Sequence, residues 1–184
     1  MDQLTELDFT ILRFIRENLS CGFLDFIMPI ITTLGSGGIL WIAIALAFLC
    51  FRRSRRSGIA LSCGLIGSVL IGNLLIKNLV ARERPCWIDE GAKMLIAVPT
   101  DYSFPSGHTS ASFAAAVVIW HFNKKAGAAA FVIATLIGFS RMYLYVHFPT
   151  DVLVGGILGA AIGIAAFRLT DHFAERINAK RSGT

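Results

Sequence analysis

Two histidines in this sequence stand beside residues that suit acid–base or nucleophilic chemistry. The first, His108, ends the run Pro105-Ser106-Gly107-His108 at the start of an apolar stretch. Ser106 is a good helix N-cap, and Gly107 removes a side chain where a backbone amide could approach a ligand. The amides and dipole of a helix start favour a bound anion, and a histidine held there is a candidate acid, base or nucleophile. Such a run is more often only a helix cap, so the prediction depends on the rest of the chain.

The second histidine, His147, lies four residues before Asp151. Pro149 disfavours helix at Phe148. Thr150 is then predicted to cap the next helix, with Asp151 in its first turn. A carboxylate there can reach back to the imidazole, fix its tautomer and leave the other nitrogen as a nucleophile. An aspartate that merely favours a helix start remains the alternative.

Three cations, Lys77, Arg84 and Arg141, are predicted to gather on the same side as the histidines. Together they suit a phosphate, because arginine binds two oxygens in a fork and lysine adds a point charge. Ionisable groups in or beside a membrane run are costly and usually mark a functional site. For Lys77, Arg82 or Lys93 taken singly, snorkelling of the long side chain to lipid head groups is the alternative.

Long apolar runs and short charged clusters alternate along the 184 residues. The chain is 55% hydrophobic, with a mean hydropathy of +0.66. A soluble domain of this size would carry more charge and show amphipathic periods. We therefore predict one integral membrane domain over residues 1–184.

Composition also argues against two other classes. The net charge of +5 does not indicate a nucleic-acid partner, because the basic residues fall at the ends of apolar runs. The four cysteines show no paired spacing, so neither a disulfide framework nor a zinc site is predicted.

The apolar runs predict an all-α, polytopic transmembrane helix bundle of about six membrane helices with an amphipathic N-terminal helix. Residues 3–20 alternate apolar and charged side chains, with Asp8 on the polar side, and are predicted to lie in the membrane interface. The short run 23–34 is predicted to complete a first, tilted crossing with that helix. The stronger runs are 38–51, 58–76, 106–122, 126–146 and 152–167.

Basic clusters give the predicted orientation. Those at 52–56 and 124–125, and the tail with Arg168, Arg176, Lys180 and Arg181, share one side if the runs are sequential crossings. The positive-inside rule makes that side cytoplasmic, so the candidate site faces outward. The short, glycine-rich bundle without a targeting sequence favours a bacterial plasma membrane.

Taken together, the motifs resemble the three-part signature of the type-2 phosphatidic acid phosphatase family, which shares its site with the vanadium haloperoxidases. The parts are Lys77-(six residues)-Arg84-Pro85, then Pro105-Ser106-Gly107-His108, then Ser140-Arg141-(five residues)-His147-(three residues)-Asp151. They occupy residues 77–85, 105–108 and 140–151 in the family's order. The haloperoxidase branch is soluble and much longer, whereas the family's six-helix membrane core fits this chain.

The resemblance implies a phosphatase that needs neither a metal nor a cofactor, since the cations do the work that a magnesium ion does elsewhere. His147 would attack phosphorus and form a phosphohistidine, oriented by Asp151. His108 would protonate the leaving oxygen and later activate water. The residues that would hold the phosphate are Lys77, Arg84, Ser106, Gly107 and Arg141.

The implied partner is a lipid phosphate in the membrane, but the motifs do not identify its tail. Compact bacterial members resemble undecaprenyl diphosphate phosphatases, and others act on phosphatidylglycerol phosphate, phosphatidic acid or lipid A. The apolar patch 92–98 is predicted to dip into the interface and guide a tail, with a loop packed on helix ends as the alternative. A small anion channel or transporter is the competing class, although we find no internal repeat and the cations lie at one face. The oligomeric state is left open.

Overall fold

Helices make up the regular structure of the computed structural model, which describes residues 3–182 apart from the side chains at 177, 178 and 180–182. No strand occurs among residues 3–182, so the all-α prediction is confirmed. The side chains of Lys180 and Arg181, two residues of the predicted basic tail, lie outside the described part. The helices are α1 Gln3–Leu19, α2 Gly22–Gly35, α3 Ile39–Cys50, α4 Arg55–Gly67, α5 Lys77–Val80, α6 Pro85–Ile88, α7 Gly107–Phe122, α8 Lys124–Tyr143 and α9 Pro149–Ser182. A 3₁₀ turn, Ser36–Gly38, joins α2 to α3, and a π-helical segment, Ser68–Ile76, joins α4 to α5.

Within residues 3–182, four segments are long and apolar enough to cross a membrane: Gly22–Cys50, Arg55–Ile88, Lys124–Tyr143 and Pro149–Arg176. The shorter α7 packs against both α8 and α9 and buries most of its second half, so it forms the centre of the bundle. A polytopic helical bundle is thus confirmed, and the number of about six crossings stays a prediction.

The first predicted crossing differs from the structure. Residues 20–21 separate α1 from α2, and α2 instead continues into α3 through the 3₁₀ turn. Gly37 and Gly38 adopt left-handed φ values of 58° and 70° in this turn, a conformation that glycine tolerates without strain. The glycine pair therefore kinks a single apolar segment where the sequence analysis placed a break between two crossings.

The helix α1 lies against α8 and α9 at the end of the bundle where residues 77–84, 105–108 and 141–151 meet, which we call the site end. Its buried face consists of Asp8, Phe9, Leu12 and Ile15. Its exposed apolar stripe consists of Leu4, Leu7, Ile11 and Phe14. The prediction of a helix is confirmed, and the open stripe suits a membrane interface. Asp8, placed on the polar face by the sequence analysis, points into the protein instead.

Close packing of α7 on α9 fixes the positions of the second and third motifs. At Gly159 a Cβ atom would lie 2.1 Å from the carbonyl oxygen of Ser110, and at Gly155 it would lie 2.8 Å from that of Ser106. These glycines, four residues apart, let the two backbones approach as small residues do in membrane bundles. The Ser106 amide also donates to the Asp151 carbonyl at 3.1 Å. The start of α7 is therefore held against the start of α9.

At the opposite end of the bundle, an ion pair and a cation–π contact connect basic residues to neighbouring helices. Arg56 near the start of α4 forms an ion pair with Asp171 in α9. The Lys124 ammonium lies 4.7 Å from the ring centre of Trp120. The clusters at 52–56 and 124–125 therefore lie at the end of the bundle remote from the motifs, the arrangement that the orientation argument requires.

Candidate active site

The three motif segments meet at one cavity of about 810 Å³. Six of the eight predicted site residues line it: Lys77, Arg84, Gly107, His108, Arg141 and His147. The other two, Ser106 and Asp151, are fully buried and bonded to residues that line the cavity or adjoin those that do. The structure therefore brings the predicted set together, and their individual roles stay predictions.

The three cations are buried, with exposed fractions of 6% for Lys77, 2% for Arg84 and 4% for Arg141. Arg84 is held by the Asp101 carbonyl at 2.6 Å from Nε and the Val146 carbonyl at 2.7 Å from Nη1. Arg141 Nη1 donates to Thr32 Oγ1 at 2.7 Å, but among the described residues no carboxylate lies within ion-pair distance of Arg141, and its buried Nε donates to nothing. A buried charge without a counter-ion is costly. An anion bound in the cavity would supply that partner.

A carboxylate that the sequence analysis missed forms ion pairs with two of these cations. Asp101 Oδ2 lies 2.5 Å from Lys77 Nζ, and Oδ1 lies 2.8 Å from Arg84 Nη2. Partial burial would raise the pKa of Asp101, but the hydrogen bond from Lys77 and the charge of Arg84 outweigh it and lower the pKa from 3.8 to about 2. Asp101 therefore holds the cations as an internal anion, on a loop beside the second motif.

Replacing Asp101 by asparagine is expected to lower the inhibition constant of inorganic phosphate by about tenfold, because a neutral amide competes less well for two cations. The pKa of about 2 keeps the wild-type carboxylate charged, so the difference should persist from pH 5 to pH 8. Product inhibition at fixed lipid substrate measures it. The matched control is Glu90→Gln, because Glu90 is an exposed carboxylate on the same loop. An unchanged inhibition constant in Asp101→Asn would show that Asp101 does not compete with phosphate.

His147 and Asp151 are neighbours, as their spacing predicted, but their separation is long for a hydrogen bond. Asp151 Oδ2 lies 3.5 Å from His147 Nδ1 and accepts a hydrogen bond from the Phe148 amide at 2.9 Å. Ser103 donates its hydroxyl proton to the same carboxylate oxygen. The other ring nitrogen, Nε2, lies 3.2 Å from Arg84 Nη1, among the cations. The carboxylate is therefore behind the ring, and Nε2 faces the expected phosphate.

Electrostatics favours a neutral His147. Burial, followed by the charges of Arg84, Arg141 and Lys77, lowers the pKa of His147 well below its ordinary value of 6.5. At neutral pH the imidazole then keeps a lone pair. With the proton on Nδ1, beside the carboxylate, that lone pair is on Nε2 and can attack phosphorus.

His108 lies in the first turn of α7 and packs against the kink between α2 and α3. Its Nε2 lies 3.4 Å from Ser36 Oγ. A Cβ atom at Gly35 would come within 2.9 Å of the His108 ring, so a larger residue there would have to displace it. Because His108 and His147 line the same cavity, one bound phosphate could contact both rings.

The Ser106 hydroxyl caps α7, as predicted, and accepts hydrogen bonds from Thr109 Oγ1 at 2.9 Å and the Thr109 amide at 3.5 Å. Since this hydroxyl is engaged in the cap, its phosphate contact stays a prediction. Gly107 allows close approach of the π-helical segment: a Cβ atom there would lie 2.4 Å from Asn73 Oδ1. Any side chain at 107 would therefore displace Asn73 from the cavity wall.

Two further site residues were assigned other roles in the sequence analysis. Arg82, considered there as a snorkelling residue, donates to Asp151 Oδ1 at 2.7 Å and to Asp8 Oδ2 at 2.8 Å. The only signal for Arg82 was its place two residues before Arg84 in the first motif. Nothing in the sequence around Asp8 indicates a contact 74 residues away.

A model of the PAP2 superfamily matches residues 57–174. The chain belongs to the PAP2 superfamily. The matched range contains all three motif segments, so the resemblance stated from the motifs is confirmed. The apolar helices of this PAP2 chain also agree with an integral membrane protein.

Curated PAP2 relatives include two undecaprenyl-diphosphatases. The chain is 32% identical over 148 residues to BcrC of Bacillus subtilis, covering 80% of this chain and 76% of the relative. It is 31% identical over 131 residues to the Sulfolobus acidocaldarius protein, covering 71% of this chain and 63% of the relative. The enzyme class predicted from the motifs, a phosphatase, is that of these relatives.

Solved PAP2 structures share most of the helical arrangement. Aquifex aeolicus LpxE superposes with a TM-score of 0.77 at 29% identity, covering 88% of this chain and 95% of that one. A transmembrane PAP2-type phosphatidylglycerolphosphate phosphatase from Bacillus subtilis gives 0.75 at 28% identity, covering 96% and 89%. The likeness therefore extends beyond residues 57–174 and includes helices that precede the first motif.

A metal ligand set does not occur among the described residues, where no group of three or more His, Cys, Asp or Glu side chains is arranged to hold an ion. The cavity presents cations instead of a carboxylate cluster. Metal-independent catalysis by this PAP2 chain stays a prediction, and its test is described with the labelling experiment in the Discussion.

Proposed function

We propose that this protein removes the terminal phosphate of a membrane lipid phosphate or diphosphate, and that undecaprenyl diphosphate is its preferred substrate. One observation carries the proposal: three buried cations and two histidines lie at one end of a cavity, and most of its remaining lining, from α3, α4 and the π-helical segment, is apolar. The cations suit the phosphate, and the apolar walls suit a lipid tail. The undecaprenyl-diphosphatases among the relatives support this choice of substrate.

The proposed chemistry proceeds in two displacements at phosphorus. His147 Nε2 attacks, an N–P bond forms, and the bond from phosphorus to the lipid oxygen or diphosphate bridge breaks as His108 donates its proton to the leaving oxygen. His108 then takes a proton from water, whose oxygen attacks phosphorus and breaks the N–P bond. Inorganic phosphate leaves and His147 is regenerated. Lys77, Arg84 and Arg141 stabilise the charge on the equatorial oxygens in both steps.

Some of the apolar residues that line the cavity are also exposed on the outside of the bundle, which supports a side opening for a lipid tail. Its walls come from α3, α4 and the π-helical segment, where Leu46, Ile66 and Val69 are exposed by 57%, 58% and 47%. From the patch 92–98, residues 96–98 also line the cavity, which supports their predicted role of guiding a tail. Residues 92, 94 and 95 pack on the core near α1, as the alternative interpretation expected.

Narrowing this opening is expected to affect long-tailed substrates selectively. Val69→Trp should lower kcat/KM for a long-chain lipid phosphate by about tenfold and change hydrolysis of a short-chain, water-soluble ester by less than about twofold, because only the long tail must occupy the narrowed groove. Ile157→Trp is the matched control, since Ile157 is 63% exposed on α9 and does not line the cavity. Equal losses on both substrates, or no loss on the lipid, would contradict a tail groove here.

A substrate panel tests the proposed function directly. Purified undecaprenyl diphosphate, phosphatidylglycerol phosphate, phosphatidic acid and lipid A would be ranked by kcat/KM. We expect undecaprenyl diphosphate to rank first. Phosphatidylglycerol phosphate is the second candidate. The supporting relative is phosphatidylglycerophosphatase B of Bacillus subtilis, to which this chain is 30% identical in an alignment that includes 85% of its residues. Phosphate flux into proteoliposomes without hydrolysis would instead favour the anion transporter.

The proposed location is a bacterial plasma membrane with the site on its outer side. The support is the position of the clusters 52–56 and 124–125 at the end remote from the motifs. Cys21 follows α1 at the site end and Cys50 ends α3 at the other, and both are exposed. An impermeant thiol reagent applied to intact cells should label Cys21 and spare Cys50, and the reverse pattern would overturn this orientation.

A further inference from the structure

A buried carboxylate in α1 faces the catalytic region without lining the cavity. Asp8 is only 1% exposed and lies in the middle of the buried face of an interfacial helix. Its Oδ1 accepts from the Thr150 amide at 3.1 Å. Its Oδ2 accepts from Thr150 Oγ1 at 2.5 Å and Arg82 Nη2 at 2.8 Å. Every donor to Asp8 therefore comes from the start of α9 or from the first motif segment.

Arg82 connects this carboxylate to the one behind His147. Its Nη2 pairs with Asp8, while its Nη1 donates to Asp151 Oδ1 at 2.7 Å and to Thr150 Oγ1 at 2.8 Å. The guanidinium carbon lies 4.0 Å from the ring centre of Phe148. The planar fork of arginine is thus fixed on three sides, and it gives both buried carboxylates their ion-pair partner.

We propose that Asp8 and Arg82 are positioning residues for the reaction, acting on His147 through Asp151. This inference rests on the proposed function, because Asp8 and Arg82 would position residues of the same active site. By holding Asp151 Oδ1, Arg82 directs Oδ2 towards the Nδ1 side of the His147 ring. Asp8 in turn fixes Arg82 and the first turn of α9. A helix that contributes no group to the cavity thereby sets the orientation of the nucleophile.

Two distances support a specific role over a general packing role. The separation of 3.5 Å between Asp151 Oδ2 and His147 Nδ1 is long for a hydrogen bond, so a small rotation of the carboxylate decides whether the contact forms. The bond from Arg82 to Oδ1, at 2.7 Å, is a short, charge-assisted contact that resists this rotation together with the bonds from Ser103 and the Phe148 amide to Oδ2. Losing it should affect the chemical step more than substrate binding, since the cations of the cavity remain in place.

The test compares Asp8→Asn, Arg82→Met and the double variant in the full-length protein with a lipid phosphate. We expect kcat to fall about tenfold in Asp8→Asn and about 10²-fold in Arg82→Met, with KM within about twofold. The double variant should lose clearly less than the product of the two single losses, because part of the effect of Asp8 passes through Arg82 and the rest through Thr150. Asp8→Glu, which keeps the charge, should recover part of the lost kcat. The matched control is Asp25→Asn. In the wild type, Asp25 accepts a hydrogen bond from the Tyr143 hydroxyl at 2.6 Å, in another part of the site end.

Several results would overturn the inference: an unchanged kcat in Asp8→Asn, fully additive losses in the double variant, or a rise in KM that accounts for the whole effect. Should Arg82→Met fail to fold, Arg82→Lys keeps the charge but loses the fork, and an undiminished kcat in it would count equally against positioning. Wild type and His147→Ala are assayed alongside. An inactive wild type refutes the proposed function, whereas an active wild type with normal Asp8→Asn refutes only this inference.

Discussion

Replacing His147 by alanine is expected to lower kcat by at least about 10⁴-fold, because it removes the proposed nucleophile. The imidazole is 1% exposed, and its Nε2 lies 3.2 Å from Arg84 Nη1, so the variant loses the ring nitrogen that lies among the cations. Phosphate release from a lipid phosphate in detergent micelles measures the loss.

The His147→Ala protein should still bind the substrate, because Lys77, Arg84 and Arg141 remain. Binding of inorganic phosphate and the thermal unfolding midpoint show whether the site survives, and His147→Gln offers a variant with less lost volume. His121→Ala is the matched control, because His121 stacks on Phe167 at 4.1 Å, remote from the cavity. Phosphate release near the wild-type rate in a folded His147→Ala protein would reject the nucleophile.

Asp151→Asn is expected to lower kcat by about 10² to 10⁴-fold with a smaller change in KM, by analogy with other carboxylate–histidine pairs. Both carboxylate oxygens accept hydrogen bonds, Oδ1 from Arg82 and Oδ2 from the Phe148 amide. An amide NH₂ group at either position would oppose a donor. If it faces His147, it favours the tautomer with its proton on Nε2, and the lone pair needed for attack is lost.

Single-turnover kinetics separates this effect from slow product release: phosphoenzyme formation itself should slow in Asp151→Asn. Asp171→Asn, an exposed carboxylate at the other end of α9, is the matched control. A variant that forms phosphoenzyme at the wild-type rate would show that Asp151 supports the fold but does not orient His147.

The sequence predicted the contents of the site better than its surroundings. Lys77, Arg84, His108, Arg141 and His147 could be assigned because motif spacing and the alternation of apolar runs bring them to one membrane face. Each is local to its motif, so no long-range contact had to be known. The cap at Ser106 was predicted for the same reason.

Contacts between distant segments could not be predicted in this way. Asp8 looked like a polar-face residue because helical periodicity cannot distinguish solvent from a buried ionic partner. Asp101 looked like an ordinary loop carboxylate until the fold placed it on Lys77 and Arg84. The runs 23–34 and 38–51 were assigned to different crossings, because an apolar run does not show whether the backbone continues as one kinked segment through Gly37 and Gly38.

The proposed mechanism depends most on a covalent phosphohistidine. The most direct test is a labelling experiment. The protein reacts briefly, in the presence of EDTA, with a lipid substrate that carries ³²P in its terminal phosphate. We expect an acid-labile, base-stable adduct on the peptide that contains His147. It should be absent from His147→Ala, and in His108→Ala both its formation and its hydrolysis should slow, because His108 is the proposed acid of the first step and base of the second. Continued hydrolysis without an adduct, a base-labile adduct on an aspartate, or an adduct that forms only when magnesium is restored would contradict the proposed mechanism.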